Sequence, residues 1–260
     1  MSAGTFTPRP GAAPVSRMIL AQTALETRML LRNGEQLLLT VIIPALLLTL
    51  FSTVDIVSVP VGEGGSGKSV DFLAPGILAL AVMSTAFTGQ AIATGFDRRY
   101  GVLKRLGASP LPRWALMAAK TLSVLVTEVL QIALLTVIAL ALGWSPQGDP
   151  LSVAVLILLG TAAFSGLGLL MAGTLKAEVT LAAANLVFLL LLVGGGVIVP
   201  LDKFPDAVRS VLGLLPISAL SDGLREVLQH GAALPWGDAA VLAGWAVLGL
   251  GAAARLFRWE

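Results

Sequence analysis

Gly62, Gly67, Lys68 and Ser69 in "VGEGGSGKSV" stand at the spacing G-x-x-x-x-G-K-[ST]. In a phosphate-binding loop that spacing lets backbone N–H groups and a helix N-terminus cradle phosphates while the lysine reaches them. The chemistry needs a buried strand before the loop and a helix after it, inside a soluble α/β domain. A second candidate is Glu128 in "LVTEVLQIAL", a carboxyl among aliphatic residues that could serve as an acid or base. Gln131, one turn on, and Asn185, further along the chain, are its possible hydrogen-bonding partners. Little other reactive chemistry is available. His230 is the one histidine and the cysteine count is zero, so disulfides, thiol nucleophiles and thiolate metal sites are excluded. No metal site is expected.

The elements that position these residues follow from composition. Of the 260 residues 56% are hydrophobic and 12% charged, with mean hydropathy +0.90, whereas an ordinary soluble domain carries roughly 25% charged residues. The chain reads as an all-α integral membrane protein. A bilayer crossing takes roughly 20 mostly apolar helical residues, and six segments qualify, at about 36–54, 72–96, 114–142, 151–175, 181–199 and 236–257. Residues 1–16, rich in Pro, Gly, Ala and Ser, are expected to be a disordered tail that is retained, because the first long apolar run has the length of a span and not of a signal-peptide core. Residues 17–260 form the six-span domain. Of the 17 Lys and Arg, Lys68, Lys203, Arg209 and Arg225 lie on one side of these spans, and the rest lie on the side of both termini. The positive-inside rule makes that second side cytoplasmic. Trp114, Trp144, Trp236 and Trp259 fall at span ends, where amphipathic rings settle.

This arrangement turns the phosphate-loop pattern into a decoy. Residues 62–69 fall in an external loop that cytoplasmic ATP does not reach, Pro75 is expected to interrupt the helix that should follow Ser69, and no soluble stretch is long enough for a nucleotide domain. The plain reading is a flexible Gly/Ser-rich loop.

Four further stretches carry mechanism. "RMILAQTALETRMLLRNGEQ", from Arg17, reads as an interfacial helix with Met18, Leu25 and Met29 on one stripe, Leu20, Ala24 and Leu31 on another, and Arg28 and Arg32 between them; an ordinary juxtamembrane extension is the alternative. In "GFDRRYGVLKRLGASPLPRWALMAAK" a short helix over about 97–106 would begin with Asp97 and end with Lys104 and Arg105, in keeping with the helix dipole, before Gly107 and Pro110 stop it. It is either a plain positive-inside loop or a docking helix for an energy-supplying partner. Ala162 and Gly166 have the small-xxx-small spacing of close helix packing, with a sliding surface as the alternative. After Gly194, Gly195 and Gly196, two short amphipathic helices are expected, one after Pro205 and one after Pro216, with Ser218, Ser221 or Asp222 near the second start. They are too polar to span, and they either lie on the outer surface or form a re-entrant hairpin. Glu128 itself is read as an interhelix contact, a source of cavity polarity or a proton-coupling group.

The order of these features resembles the membrane subunit of ATP-binding-cassette exporters of the type-2 permease family. The resemblance covers nearly the whole chain after Arg17. It rests on Pro44 in the first span, on Pro75 and Gly76 in "LAPGILAL", and on the cytoplasmic loop with Asp97, Arg99, Gly101, Leu103, Leu106, Pro110, Leu111, Arg113 and Lys120. It also rests on "GGGVIVPLDKFP" and "LLPISALSDGLR", with Gly196, Pro200, Pro205, Pro216 and Arg225. Asp97 stands where the family often has Glu.

The resemblance implies that Asp97, Arg98, Arg99, Gly101, Leu103, Lys104 and Arg105 form a coupling helix for a separate cytoplasmic ATPase, which alone uses ATP and magnesium. It implies an interfacial helix carrying Arg17, Arg28 and Arg32, and an external re-entrant segment with Pro200, Pro205, Pro216 and Arg225. It further implies a second permease copy or close paralogue, alternating access, no catalytic residue and no cofactor on this chain, and a place in a bacterial cytoplasmic membrane. Glu128, Gln131 and Asn185 are candidates for the substrate path. With Tyr100 as the one tyrosine, an aromatic sugar path is absent, and an apolar or amphipathic cargo, a drug-like compound or a lipid, is expected. An intramembrane enzyme acting on lipid-linked substrates and a proton-coupled secondary transporter, both using Glu128, are the competing readings.

Overall fold

A computed structural model describes residues 13–32, 34–53, 69–197 and 205–258. Among them the secondary structure is entirely helical. The chain order is α1 (Val15–Arg32), α2 (Gly34–Thr53), α3 (Ser69–Met83), a π-helical segment (Ser84–Gly89), α4 (Gln90–Arg99), α5 (Val102–Gly107), α6 (Arg113–Ala141), α7 (Pro150–Thr174), α8 (Ala177–Gly194), α9 (Asp206–Leu212), α10 (Pro216–His230) and α11 (Trp236–Leu256). Among the described residues five helical stretches have the length and apolarity to cross a bilayer: Ser69–Arg99, α6, α7, α8 and α11. The apolar stretch of α2 covers Thr40–Ser52.

The composite helix Ser69–Arg99 is the axis of the bundle, and nearly all of its apolar window is buried. Around it stand α2, α6, α7 and α10, while α11 lies along α7 and α4 is flanked by α7 and α8. The outer helices α6, α8 and α11 turn aliphatic side chains outward, among them Val129, Leu190, Val193, Val247 and Leu248. In water that surface would be a large aggregation-prone patch; in hydrocarbon it costs nothing, because lipid tails are as apolar as the side chains.

Close approach is set by small residues, as the spacing of Ala162 and Gly166 predicts. A Cβ on Gly166 would sit 2.5 Å from the backbone nitrogen of Leu250 and 2.7 Å from the carbonyl carbon of Gly249, so α7 and α11 touch backbone to backbone there. Two residues further, Gly168 admits the Phe87 carbonyl of the π segment, which a Cβ would meet at 2.9 Å.

Several expectations are corrected. Pro75 does not interrupt the helix: α3 begins at Ser69 and runs through it. Proline is tolerated inside membrane helices because neighbouring groups re-satisfy the backbone, and here the Pro-Gly step makes room, since a Cβ on Gly76 would lie 2.8 Å from the Val197 carbonyl. The helix predicted over 97–106 is two pieces. Asp97 belongs to the end of α4, Gly101 takes a left-handed conformation at φ 69°, and α5 starts only at Val102. That conformation is cheap for glycine and separates the two pieces. The expected fifth span, 181–199, begins earlier and stops earlier, at Ala177 and Gly194, because Gly196 at φ 68° ends helical geometry. Residues 15 and 16 of the expected tail belong to α1, whereas residues 1–12 lie outside the described residues. Trp144, expected at a span end, is buried, while Trp114 and Trp236 are exposed; Trp259 lies outside the described residues.

Candidate functional site

A groove of about 720 Å³ opens along the axial helix. Its walls come from α2 (Thr40, Ile43, Pro44), the axial helix (Leu80, Ser84, Thr88, Gly89, Ile92, Ala93, Phe96, Asp97), Tyr100, and α8 (Leu181, Asn185, Phe188). This volume lies within the range of sites for drug-sized ligands, and the lining is mostly aliphatic and aromatic with a few convergent polar groups. The rings of Phe96 and Tyr100 stack with centroids 6.1 Å apart, which corrects the expectation of a path without aromatic rings, since Phe96, Tyr100 and Phe188 all stand in the groove wall. Three residues of the wall, Ser84, Thr88 and Gly89, belong to the π segment, and such segments recur at functional sites because the widened turn re-aims side chains. The sequence reading missed it: "STAFTG" carries no local signal that separates a π from an α turn.

The three residues predicted to share a path are not brought together. Glu128 is buried between α6 and α7 and accepts a hydrogen bond from Thr161 Oγ1 at 2.5 Å. Gln131 is not its partner. Gln131 Oε1 accepts from Thr85 Oγ1 at 2.8 Å and its amide donates to the Thr40 carbonyl, tying α6 to the π segment and α2. Only Asn185 lines the groove, with its amide hydrogen-bonded to the Leu181 carbonyl of its own helix. Spacing could place Glu128 and Gln131 one turn apart but could not say which neighbouring helix each would face.

The loop residues after the axial helix separate into held and presented groups. Lys120 Nζ bridges Asp97 Oδ2 at 2.7 Å and Glu26 Oε1 at 3.0 Å, and the lysine side chain is only 6% exposed. Gln22 donates a further hydrogen bond to Glu26. One ammonium thereby ties together α1, α4 and α6. Glu26 was not singled out in the sequence, although its i, i+4 pairing with Gln22 on a polar stripe was a readable sign. Arg98 donates to the Gly173 and Leu175 carbonyls at the end of α7, and Arg99 pairs with Glu178. Leu103 is buried against Leu116 and Phe257, so α5 rests on a small core of its own. Lys104 and Arg105 are exposed.

Helix α1 carries Arg17, Arg28 and Arg32 on its exposed surface. Its buried face is polar, made of Gln22, Thr23, Glu26 and Thr27 against α6, and its aliphatic residues Leu20, Leu25, Met29 and Leu31 point outward. This inversion suits a helix whose outer environment is lipid.

At the other end, Pro205 precedes α9 and Pro216 opens α10, matching the two predicted helices. Arg225 is buried in α10. It donates to the Val197 carbonyl at 2.8 Å, pairs with Asp222 at 3.0 Å and lies 4.2 Å over the Phe72 ring. Pro200 lies outside the described residues, as do Gly62, Gly67 and Lys68; Ser69 is the first residue of α3.

Comparison with known proteins joins these features. The pattern of the ABC-2 type transporter family matches residues 19–228. YvfS of Bacillus subtilis (strain 168), named as a transport permease, is 25% identical over 235 residues, covering 87% of this chain and 91% of YvfS. The linearmycin resistance permease protein LnrN of the same organism is 29% identical over 171 residues, covering 65% of this chain and 44% of LnrN. An axial helix beside a drug-sized groove, an apolar outer surface and a family match over most of the chain agree: this protein is a multi-pass membrane permease belonging to the ABC-2 type transporter family.

Proposed function

We propose that the chain is the membrane half of an exporter that carries an apolar or amphipathic small molecule out of the cell, driven by a separate ATPase. The observation that carries this reading is the groove of about 720 Å³ with its aliphatic and aromatic lining. The name of LnrN, a linearmycin resistance permease, supports it, because removing a toxic small molecule produces resistance. In this reading α2 completes a set of six spans, both termini are cytoplasmic, and α9 and α10 form an external re-entrant hairpin. Protein buries one side of α10, where Ile217, Leu220 and Leu224 are fully covered.

The ATPase binds ATP and magnesium, and this chain holds neither. Its closure pushes α5, through Lys104 and Arg105, and the push passes to the axial helix across the Gly101 turn. The Lys120 cluster carries α1 and α6 along. A second permease copy or a paralogue covers the groove, and the two bundles rock to expose it to alternate sides. Glu128, absent from the groove lining, acts as an interhelix contact in this reading, which favours the exporter over the intramembrane-enzyme and proton-coupled alternatives.

The decisive experiment is efflux of an amphipathic dye from cells expressing the permease with its ATPase. Asn185→Trp fills the groove and is expected to lower efflux about tenfold while ATPase association is retained. Unchanged efflux would remove the groove from the path. Glu128→Gln is expected to leave efflux intact; its loss would restore the proton-coupled reading. Sidedness is tested separately with Ser66→Cys in this cysteine-free chain: labelling by an impermeant thiol reagent in intact cells is expected, and labelling only after membrane rupture would invert the topology.

A further inference from the structure

Beside the groove lies a second, smaller chamber of about 40 Å³, sharing Thr40, Gly89 and Ala93 with it as a common wall. Polar side chains of Glu26, Gln90, Lys120, Ser123 and Thr127 are among its lining residues. The volume accommodates a group the size of a water molecule or two.

Hydrogen-bond accounting shows what such a group must offer. Ser123 Oγ donates to the Lys120 carbonyl at 2.8 Å, and Thr127 Oγ1 donates to the Ser123 carbonyl at 3.0 Å. With their protons committed, both hydroxyls have only lone pairs left. Gln90 is 95% buried, and neither its amide nitrogen nor its amide oxygen has a partner among the described residues. A buried amide left in this state is destabilising, which marks it as a place for a missing partner. Charge points the same way. Glu26 and Asp97 share the single ammonium of Lys120, which leaves this cluster of three, with Glu26 and Lys120 in the chamber wall and Asp97 in the groove wall, one unit negative. The guanidinium of Arg98 donates to the carbonyls of Gly173 and Leu175 at the end of α7 and forms no ion pair with this cluster among the described residues.

We propose that this chamber is a subsite for the protonated amine of an amphipathic cargo whose apolar body lies in the groove. An ammonium supplies donors to the Gln90 oxygen and to the Ser123 and Thr127 lone pairs, and its charge balances the surplus carboxylate. Neutral heads gain the hydrogen bonds without the charge term, and anionic heads are repelled. The inference rests on the groove reading above, and it adds that recognition at the polar end selects cations.

The test is equilibrium binding of decylammonium and of decanol to the full chain in phosphatidylcholine nanodiscs, with empty nanodiscs subtracted. Decylammonium is expected to bind about tenfold more tightly, as a charge-assisted hydrogen bond allows. Gln90→Met and Thr127→Val keep side-chain volume in the bundle. Each is expected to weaken decylammonium binding more than decanol binding, because the lost hydrogen bond is charge-assisted only for the ammonium, and so to reduce the preference to within about threefold. Equal binding of the two amphiphiles by the unmodified chain overturns the subsite and leaves the groove standing. A preference that survives in both variants overturns its placement in this chamber. Failure of both amphiphiles to bind overturns the groove reading, and the subsite with it.

Discussion

Lys120 ties α1, α4 and α6 through one buried ammonium. Its ammonium is the shared partner of two carboxylates, with Glu26 only 10% exposed at the side chain, so Lys120→Met strands buried negative charge. Breaking a buried pair by removing one partner costs about 3–5 kcal/mol. Thermal unfolding of the purified chain in detergent is expected to show that loss, with Lys120→Arg recovering a substantial part. The Arg99–Glu178 pair is the internal comparison. Both of its side chains are about half exposed, and Arg99→Ala should change stability by less than about 1 kcal/mol. If the two substitutions have equal effects, Lys120 is not the tie between α1, α4 and α6 that its distances indicate.

Among the elements, α7 is the one whose ends and middle are most clearly specified. Asp149 caps its start: the carboxylate accepts from the backbone N–H of Leu151 and Ser152, and from Ser152 Oγ at 3.1 Å, which holds its carboxyl below the usual carboxylate range. Since the folded value lies under the unfolded one, the cap's full contribution is present above the ordinary aspartate pKa of about 3.9 and is lost as pH falls through the folded value. Hydrogen exchange at the amides of residues 151–153 is therefore expected to show the first turn loosening at the acid end, an effect absent in Asp149→Asn. In the middle of α7, Gly166→Ala drives a methyl into the α11 backbone and should destabilise by about 1–3 kcal/mol. Gly251→Ala in α11 meets nothing within 4 Å and should stabilise by up to about 1 kcal/mol from helix propensity. Calorimetric or fluorescence-monitored melting of the two variants separates packing from propensity, and equal shifts would refute the close crossing.

For the whole molecule, the distinction between held and presented charge decides where a partner can touch. Asp97 and Arg98 are tied to this chain's own α6 and α7, and Arg99 to α8, whereas Lys104 and Arg105 stand on the exposed side of α5. Replacing both with Glu is expected to weaken co-purification of the ATPase about tenfold or more through charge reversal at the contact. The melting temperature of the permease should not change. Retained association would move the docking surface off α5. Asp97→Lys is a poorer probe, because it places two ammonium groups together and tests the fold before the contact.

Sequence alone determined that this chain lives in a membrane, where its apolar helices run to within a few residues, and which loops carry its charge. These follow from solvent transfer and from chain length against bilayer thickness, which act on each segment independently. It also located the small-residue contact at Gly166 and the two helices after Pro205 and Pro216, since glycine and proline act on their own backbone. What only the tertiary structure decided were the pairings. Glu128 met Thr161 and not Gln131, Asp97 met Lys120 and not solvent, and the polar stripe of α1 turned inward. Each depends on how neighbouring helices are rotated about their axes, and that rotation is fixed by the sum of packing against several helices at once, a quantity that no local pattern of residues contains.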